Sequence, residues 1–175
     1  LPIYSLETTR SVEFPVEAPA DCDGMFDVLT YQKGGSLLRM LEQYLGEEAF
    51  RRGVSHYLQQ HEYGNTETGD LWDAVEAANP DTPVRRLMDS WIWQPGYPLV
   101  TARLDGSHLV LSQHRFAFGE TDDPTVFVTP VHLRIDGTEH KVLLDDFELR
   151  MALPSATSTV VVNAGGHGFM RVAYD

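Results

Sequence analysis

Trp91-Ile92-Trp93-Gln94-Pro95-Gly96-Tyr97-Pro98-Leu99-Val100-Thr101-Ala102-Arg103-Leu104 is the stretch on which the reading of the fold turns. Just upstream, Val84, Leu87, Met88 and Trp91 stand at i, i+3, i+4 and i+7, the spacing of one helix face. Downstream of Tyr97-Pro98 the apolar period drops to two and stays there, as in strands. Gln94-Pro95-Gly96 separates the regimes, since proline cannot continue a helix and glycine readily leaves it. The changeover predicts an α+β chain: a helical segment over residues 1–97, then an antiparallel β-sandwich over 98–175.

Working back, the fourth helix has Thr82 as cap and Pro83 at its first position. A third begins after Thr68 as N-cap, uses Leu71, Trp72, Val75 and Ala78, and ends at Pro80. A second opens on Glu47 and Glu48, carries Ala49, Phe50, Val54, Tyr57 and Leu58, and closes at Gly64. The first spans roughly 27–45, with Leu37, Leu38, Leu41, Tyr44 and Leu45 in helical register and Gly46 as a left-handed C-cap. Before it lies an extended lead-in punctuated by Pro2, Pro15 and Pro19. Working forward, seven runs read as strands: 99–104, 108–116, 125–135, 138–144, 147–153, 158–163 and 169–174. Asp105-Gly106 and Asp136-Gly137 form hairpin turns, and Pro130 demotes its part of a strand to an edge or bulge.

Composition narrows the function. A hydrophobic share of 42% over 175 residues provides for one large or two small cores. A formal charge of -13 repels a phosphate backbone, which argues against nucleic acid as a partner. No apolar run approaches the ~20 residues of a membrane span, so no membrane partner is expected. The single cysteine, Cys22, rules out an internal disulfide and fits a reducing compartment, making the cytoplasm the expected location.

Most chemical motifs fail on inspection. His61-Glu62 begins like the zinc-binding H-E-x-x-H helix, but Asn65 stands where the second histidine must be. His56 and His61, five apart, splay to different helix faces. Gly34-Gly35-Ser36 lies inside a helix and lacks the strand that a nucleophile elbow needs. Ala164-Gly165-Gly166-His167-Gly168 precedes a strand rather than a helix, so it reads as a bent hairpin loop and not a phosphate cradle. Cys22 has no patterned histidine partner, and Asp122-Asp123 and Asp145-Asp146 read as solvated turns. No metal ligands are expected in the chain. Tyr31 stands apart: spacing puts it on the apolar face with Leu38 and Leu41, either as a core tyrosine with a satisfied hydroxyl or as a buried phenol offered as a donor at the helix entrance. Lys33, on another face, reads as solvated or tied to a carboxylate.

Phe26-Asp27-Val28-Leu29-Thr30-Tyr31-Gln32-Lys33-Gly34-Gly35 resembles the Tyr-x-Lys-Gly-Ala/Gly helix of the M1 zinc aminopeptidases, the aminopeptidase N family. The likeness continues through Tyr44-Leu45-Gly46-Glu47-Glu48, Tyr63-Gly64-Asn65-Thr66, Asp70-Leu71-Trp72 and Met88-Asp89-Ser90-Trp91 to Gly96-Tyr97-Pro98. It returns in Gly168-Phe169-Met170-Arg171-Val172-Ala173-Tyr174-Asp175, similar to the end of that family's β-sandwich, and is weakest from about 99 to 160.

The resemblance implies a fragment: the end of a thermolysin-like catalytic domain over 1–97, then the small β-sandwich domain over 98–175. The parent would be a zinc enzyme that removes N-terminal residues from peptides. Its H-E-x-x-H helix, third zinc ligand and Gly-x-Met-Glu-Asn motif would lie outside this chain, which alone would bind no zinc and be inactive. Tyr31 would donate to the oxyanion of the zinc-bound tetrahedral intermediate, and Phe26 would line the pocket for the substrate's N-terminal side chain. The helical half would expose apolar surface and self-associate. The alternatives are a non-enzymatic peptide- or protein-binding module, and a paralogue that has lost its zinc.

Overall fold

The structure, a computed structural model, describes residues 2–6, 9–19, 24, 27–118 and 123–175. A 3-10 turn at Pro2–Ser5 is followed, after the lead-in, by a π-helical turn at Leu29–Lys33 that runs directly into α1, Gly34–Leu45. Helices α2 (Glu47–Gln60), α3 (Thr68–Ala77) and α4 (Val84–Ile92) complete the helical half. α1 stops where Gly46 takes φ 93° and ψ 151°, backbone that a side-chain-bearing residue rarely adopts. α2 and α3 come so close that a Cβ on Gly53 would sit 2.9 Å from the Val75 Cα.

Two helix starts differ from the sequence reading, for the same reason: carboxylates three or more residues away do the capping. Glu67, not Thr68, is the non-helical residue before α3, and Asp70 Oδ2 accepts the Glu67 N–H at 2.8 Å. α4 begins at Val84 rather than Pro83, and the Arg85 N–H of its first turn donates to Glu76 Oε2 of α3 at 2.8 Å.

Seven strands follow: β1 (Pro98–Asp105), β2 (His108–Arg115), β3 (Thr129–Ile135), β4 (Thr138–Leu144), β5 (Glu148–Ala152), β6 (Val160–Val162) and β7 (Arg171–Tyr174). One sheet has the order β5-β2-β1-β7, the other β4-β3-β6. All pairings are antiparallel except that of β7, which lies parallel to β1. β6 and β7 therefore belong to different sheets, and the glycine-rich segment between them is an inter-sheet crossover, not the hairpin loop read from its composition. Pro130 faces Leu143 of β4, while β6 pairs only with Leu133–Ile135, so its missing N–H falls where β3 is an edge.

The apolar interior has two centres. One gathers Leu37, Met40, Leu41, Val75, Leu87 and Trp91 of the helices with Tyr97, Phe127 and Val128. The other lies between the sheets, around Val100, Leu111, Val131, Leu133 and Leu144. The halves are joined by a buried polar bond, from Trp91 Nε1 to the Val128 carbonyl at 2.8 Å, while within the strand half Gln113 Nε2 donates to the carbonyls of Phe127 and Asp146, each at 2.8 Å. Lys141 Nζ of β4 donates to the Gln43 and Tyr44 carbonyls at the end of α1, where the helix dipole favours a cation. Among the described residues, no helix is long and apolar enough to cross a membrane.

Candidate active-site turn

Residues 27–34 build the site. A π turn closes i→i+5 rings in place of i→i+4, is scarce, and is frequently found at functional sites. Here both its ends are held. At the start, Asp27 Oδ1 accepts the Thr30 N–H at 2.9 Å, and the Asp27 carbonyl accepts the Tyr31 N–H at 3.1 Å. Arg10, from the lead-in, pairs with Asp27 Oδ1 at 2.7 Å and donates to Thr30 Oγ1 at 3.0 Å. Burial pushes the Asp27 carboxyl up, but the Thr30 N–H and the Arg10 guanidinium outweigh it and hold the group below the usual carboxylate range. At the far end the Gly34 N–H reaches both the Thr30 and Tyr31 carbonyls as the chain tightens into α1.

The turn directs its two notable side chains against the sequence reading. Tyr31 is 63% exposed, neither a core tyrosine nor a buried phenol. It does share a face with Leu38, but the core takes the neighbouring face, through Leu29, Lys33, Leu37, Met40 and Leu41. Tyr31 and Leu38 instead flank an apolar cleft of about 440 Å³, walled by Val12, Leu37, Trp72 and Ile92. On that wall the Trp72 indole N–H is buried with no hydrogen-bond partner among the described residues. Lys33, expected in solvent or on a carboxylate, is 1% exposed, and its Nζ donates to the Gln94 carbonyl at 3.0 Å. Burial, and then the nearby Arg115 guanidinium, push its pKa down to about 7.

Phe26 and Cys22 lie outside the described residues. His61 packs against Tyr57 with ring centroids 5.3 Å apart and the planes tilted by 41°, and His56 is exposed. Asp123 pairs with Arg115 and Asp145 with Arg86, so each belongs to an ion pair rather than to a solvated turn alone. Among the described residues, no group of three or more His, Cys, Asp or Glu side chains could hold a metal ion, so the residues present do not fit a zinc site. Sequence reasoning missed the anchors of the turn. Arg10 is 17 residues from Asp27 and Lys33 is 61 from Gln94, distances at which no spacing rule operates.

Residues 3–91, which contain this turn, α1 to α3 and all but the last residue of α4, match the model of the Peptidase family M1 domain. The chain belongs to peptidase family M1. Among curated relatives, it is 36% identical over 170 residues to probable aminopeptidase 1 of Sulfurisphaera tokodaii, an alignment covering 97% of this chain and 22% of that protein. It is 37% identical over 171 residues to the tricorn protease-interacting factor F2 of Thermoplasma volcanium, covering 98% and 21%. With aminopeptidase M1 of Arabidopsis thaliana the identity is 34% over 192 residues, covering all of this chain and 22% of the plant protein. The chain thus spans about a fifth of the length of the curated relatives it matches. M1 peptidases are zinc enzymes.

Proposed function

We propose that this chain is part of a zinc aminopeptidase that removes N-terminal residues from peptides, and that its own contribution to the chemistry is the Tyr31 hydroxyl. The observation that carries this is the presentation of Tyr31: an exposed phenol beside an apolar cleft, on a π turn anchored at its start by Asp27 and Arg10, inside the segment that matches the M1 domain. A neutral phenol is a hydrogen-bond donor. Held rigidly beside the scissile carbonyl, it stabilises the negative charge that develops on oxygen as the tetrahedral intermediate forms. Zinc, in this reading, is held by residues outside this sequence. Phe26 would line the pocket for the substrate's N-terminal side chain.

The division of labour follows: residues 1–97 close the catalytic domain and 98–175 form the small sandwich that braces it. The single cysteine fits a reducing compartment, and the cytoplasm is the location we propose. Val28, Tyr31 and Leu38, all exposed, support self-association of the isolated chain. Light scattering is expected to show oligomers, and a monomer at high concentration that binds no hydrophobic dye would contradict this.

The functional reading is tested by assaying fluorogenic aminoacyl amides with the complete parent protein and with this chain alone, alongside metal analysis of both. Chelator-sensitive turnover is expected from the parent and none from the chain. Turnover by the chain with one tightly bound zinc, or an inactive parent that still binds peptides, would overturn it; the second result favours a peptide-binding module.

A further inference from the structure

Tyr31 and Lys33 stand two residues apart on one turn, yet the first faces the cleft and the second is driven into the core. Lysine is an expensive choice for that position. Its ammonium leaves water for a neutral carbonyl, with the Arg115 guanidinium opposing its charge, whereas methionine would fill the same space at no such cost. What lysine supplies and methionine cannot is the bond to the Gln94 carbonyl, which ties the last residue of the π turn to the segment where α4 ends and the chain heads for β1. Asp27 and Arg10 secure the start of the turn. At the far end the Gly34 N–H bonds only to carbonyls of the turn itself, so the Lys33–Gln94 bond is the polar tie that holds this end to a distant segment.

We propose that Lys33 is a positioning residue: by bonding the Gln94 carbonyl it fixes the far end of the π turn, and thereby the direction in which the Tyr31 hydroxyl meets the reacting carbonyl of a peptide substrate. This rests on the reading of Tyr31 as oxyanion donor. Oxyanion stabilisation is steep in geometry, and a misplacement of about 1 Å lowers the rate by up to ~10²-fold. Lys33 touches neither substrate nor reacting atoms. It acts through Tyr31.

The test uses the complete parent enzyme, with steady-state kinetics and melting curves for Lys33→Met, Lys33→Gln, Tyr31→Phe and the double variant Tyr31→Phe/Lys33→Met. Lys33→Met is expected to lower kcat by ~10- to 10²-fold with KM within about twofold, while melting at or above the temperature of the unaltered enzyme. Lys33→Gln, whose amide falls short of Gln94, gives the same loss and decides the matter should the methionine variant not fold. The double variant is expected to be no slower than Tyr31→Phe, because a misaimed donor that is already absent loses nothing more. Normal kcat in a folded Lys33 variant, a loss that multiplies with that of Tyr31→Phe, or failure of both Lys33 variants to fold would overturn the positioning role. Normal turnover in Tyr31→Phe would remove the reading beneath it as well, whereas a slow Tyr31→Phe with normal Lys33 variants sinks the positioning role alone.

Discussion

Between its sheets the sandwich buries Val100, Leu111, Val131, Leu133 and Leu144, all apolar, and its strands lie within a few residues of where alternation puts them. The turn at 27–34 does the opposite. There a lysine is buried, a tyrosine is exposed, and the helix opens to a wider ring closure. Between the sheets, local preference and global fold agree, the condition for a stable and unique structure. In the turn they conflict, and the conflict is maintained by bonds from Arg10 and Gln94, both distant in sequence. In the function we propose, the contrast separates residues that hold the fold from residues that the fold holds in place for chemistry.

Substitutions in the two regions should therefore move different quantities. Leu133→Ala, at a fully buried position between the sheets, is expected to cost about 2–5 kcal/mol of stability while sparing the kcat of whatever remains folded. Denaturant unfolding and kinetics on the same preparation check this, and a loss of kcat without loss of stability would break the division. Lys33 gives the next largest effect, through pH. Its pKa is about 7 in the folded chain against an ordinary 10.5, so between those values the unfolded chain binds the extra proton and stability rises with pH. Relative to Lys33→Met, the native protein should gain a few kcal/mol as pH is raised from 7 to 10. A flat difference would mean that the ammonium is solvated. Gly53→Ala, which places a methyl 2.9 Å from the Val75 Cα, is expected to cost about 1–3 kcal/mol by forcing α2 and α3 apart, with kcat unchanged. Arg10→Ala is the smallest in stability, at most about 1 kcal/mol for a partly exposed ion pair. It should nevertheless slow turnover, because it frees the start of the turn.

Periodicity made most of the fold legible. All four helices and seven strands stand near their expected places because each buries a face whose spacing is local. The departures arise wherever a partner comes from elsewhere: Glu76 reaches α4 from α3, and the segment at Ala164–Gly166 crosses to a sheet whose identity no local pattern encodes. The candidate site was legible only in part. Tyr31 stood out by its resemblance to a family motif, whereas its apolar spacing pointed inward, to a core that the structure gives to Lys33. A lysine reads as a surface residue until something in the fold supplies an acceptor, and the Gln94 carbonyl lies 61 residues away.

The most direct test of the account is the kcat of Tyr31→Phe in the complete parent enzyme. The substitution keeps the ring on the cleft wall and removes one hydroxyl, so folding stability should stay within about 0.5 kcal/mol, as for other exposed positions. If the hydroxyl donates to the oxyanion, kcat falls ~10²- to 10³-fold while KM changes little, because the bond strengthens mainly in the transition state. Near-normal kcat in the folded variant would contradict the account and reduce the turn at 27–34 to a structural irregularity.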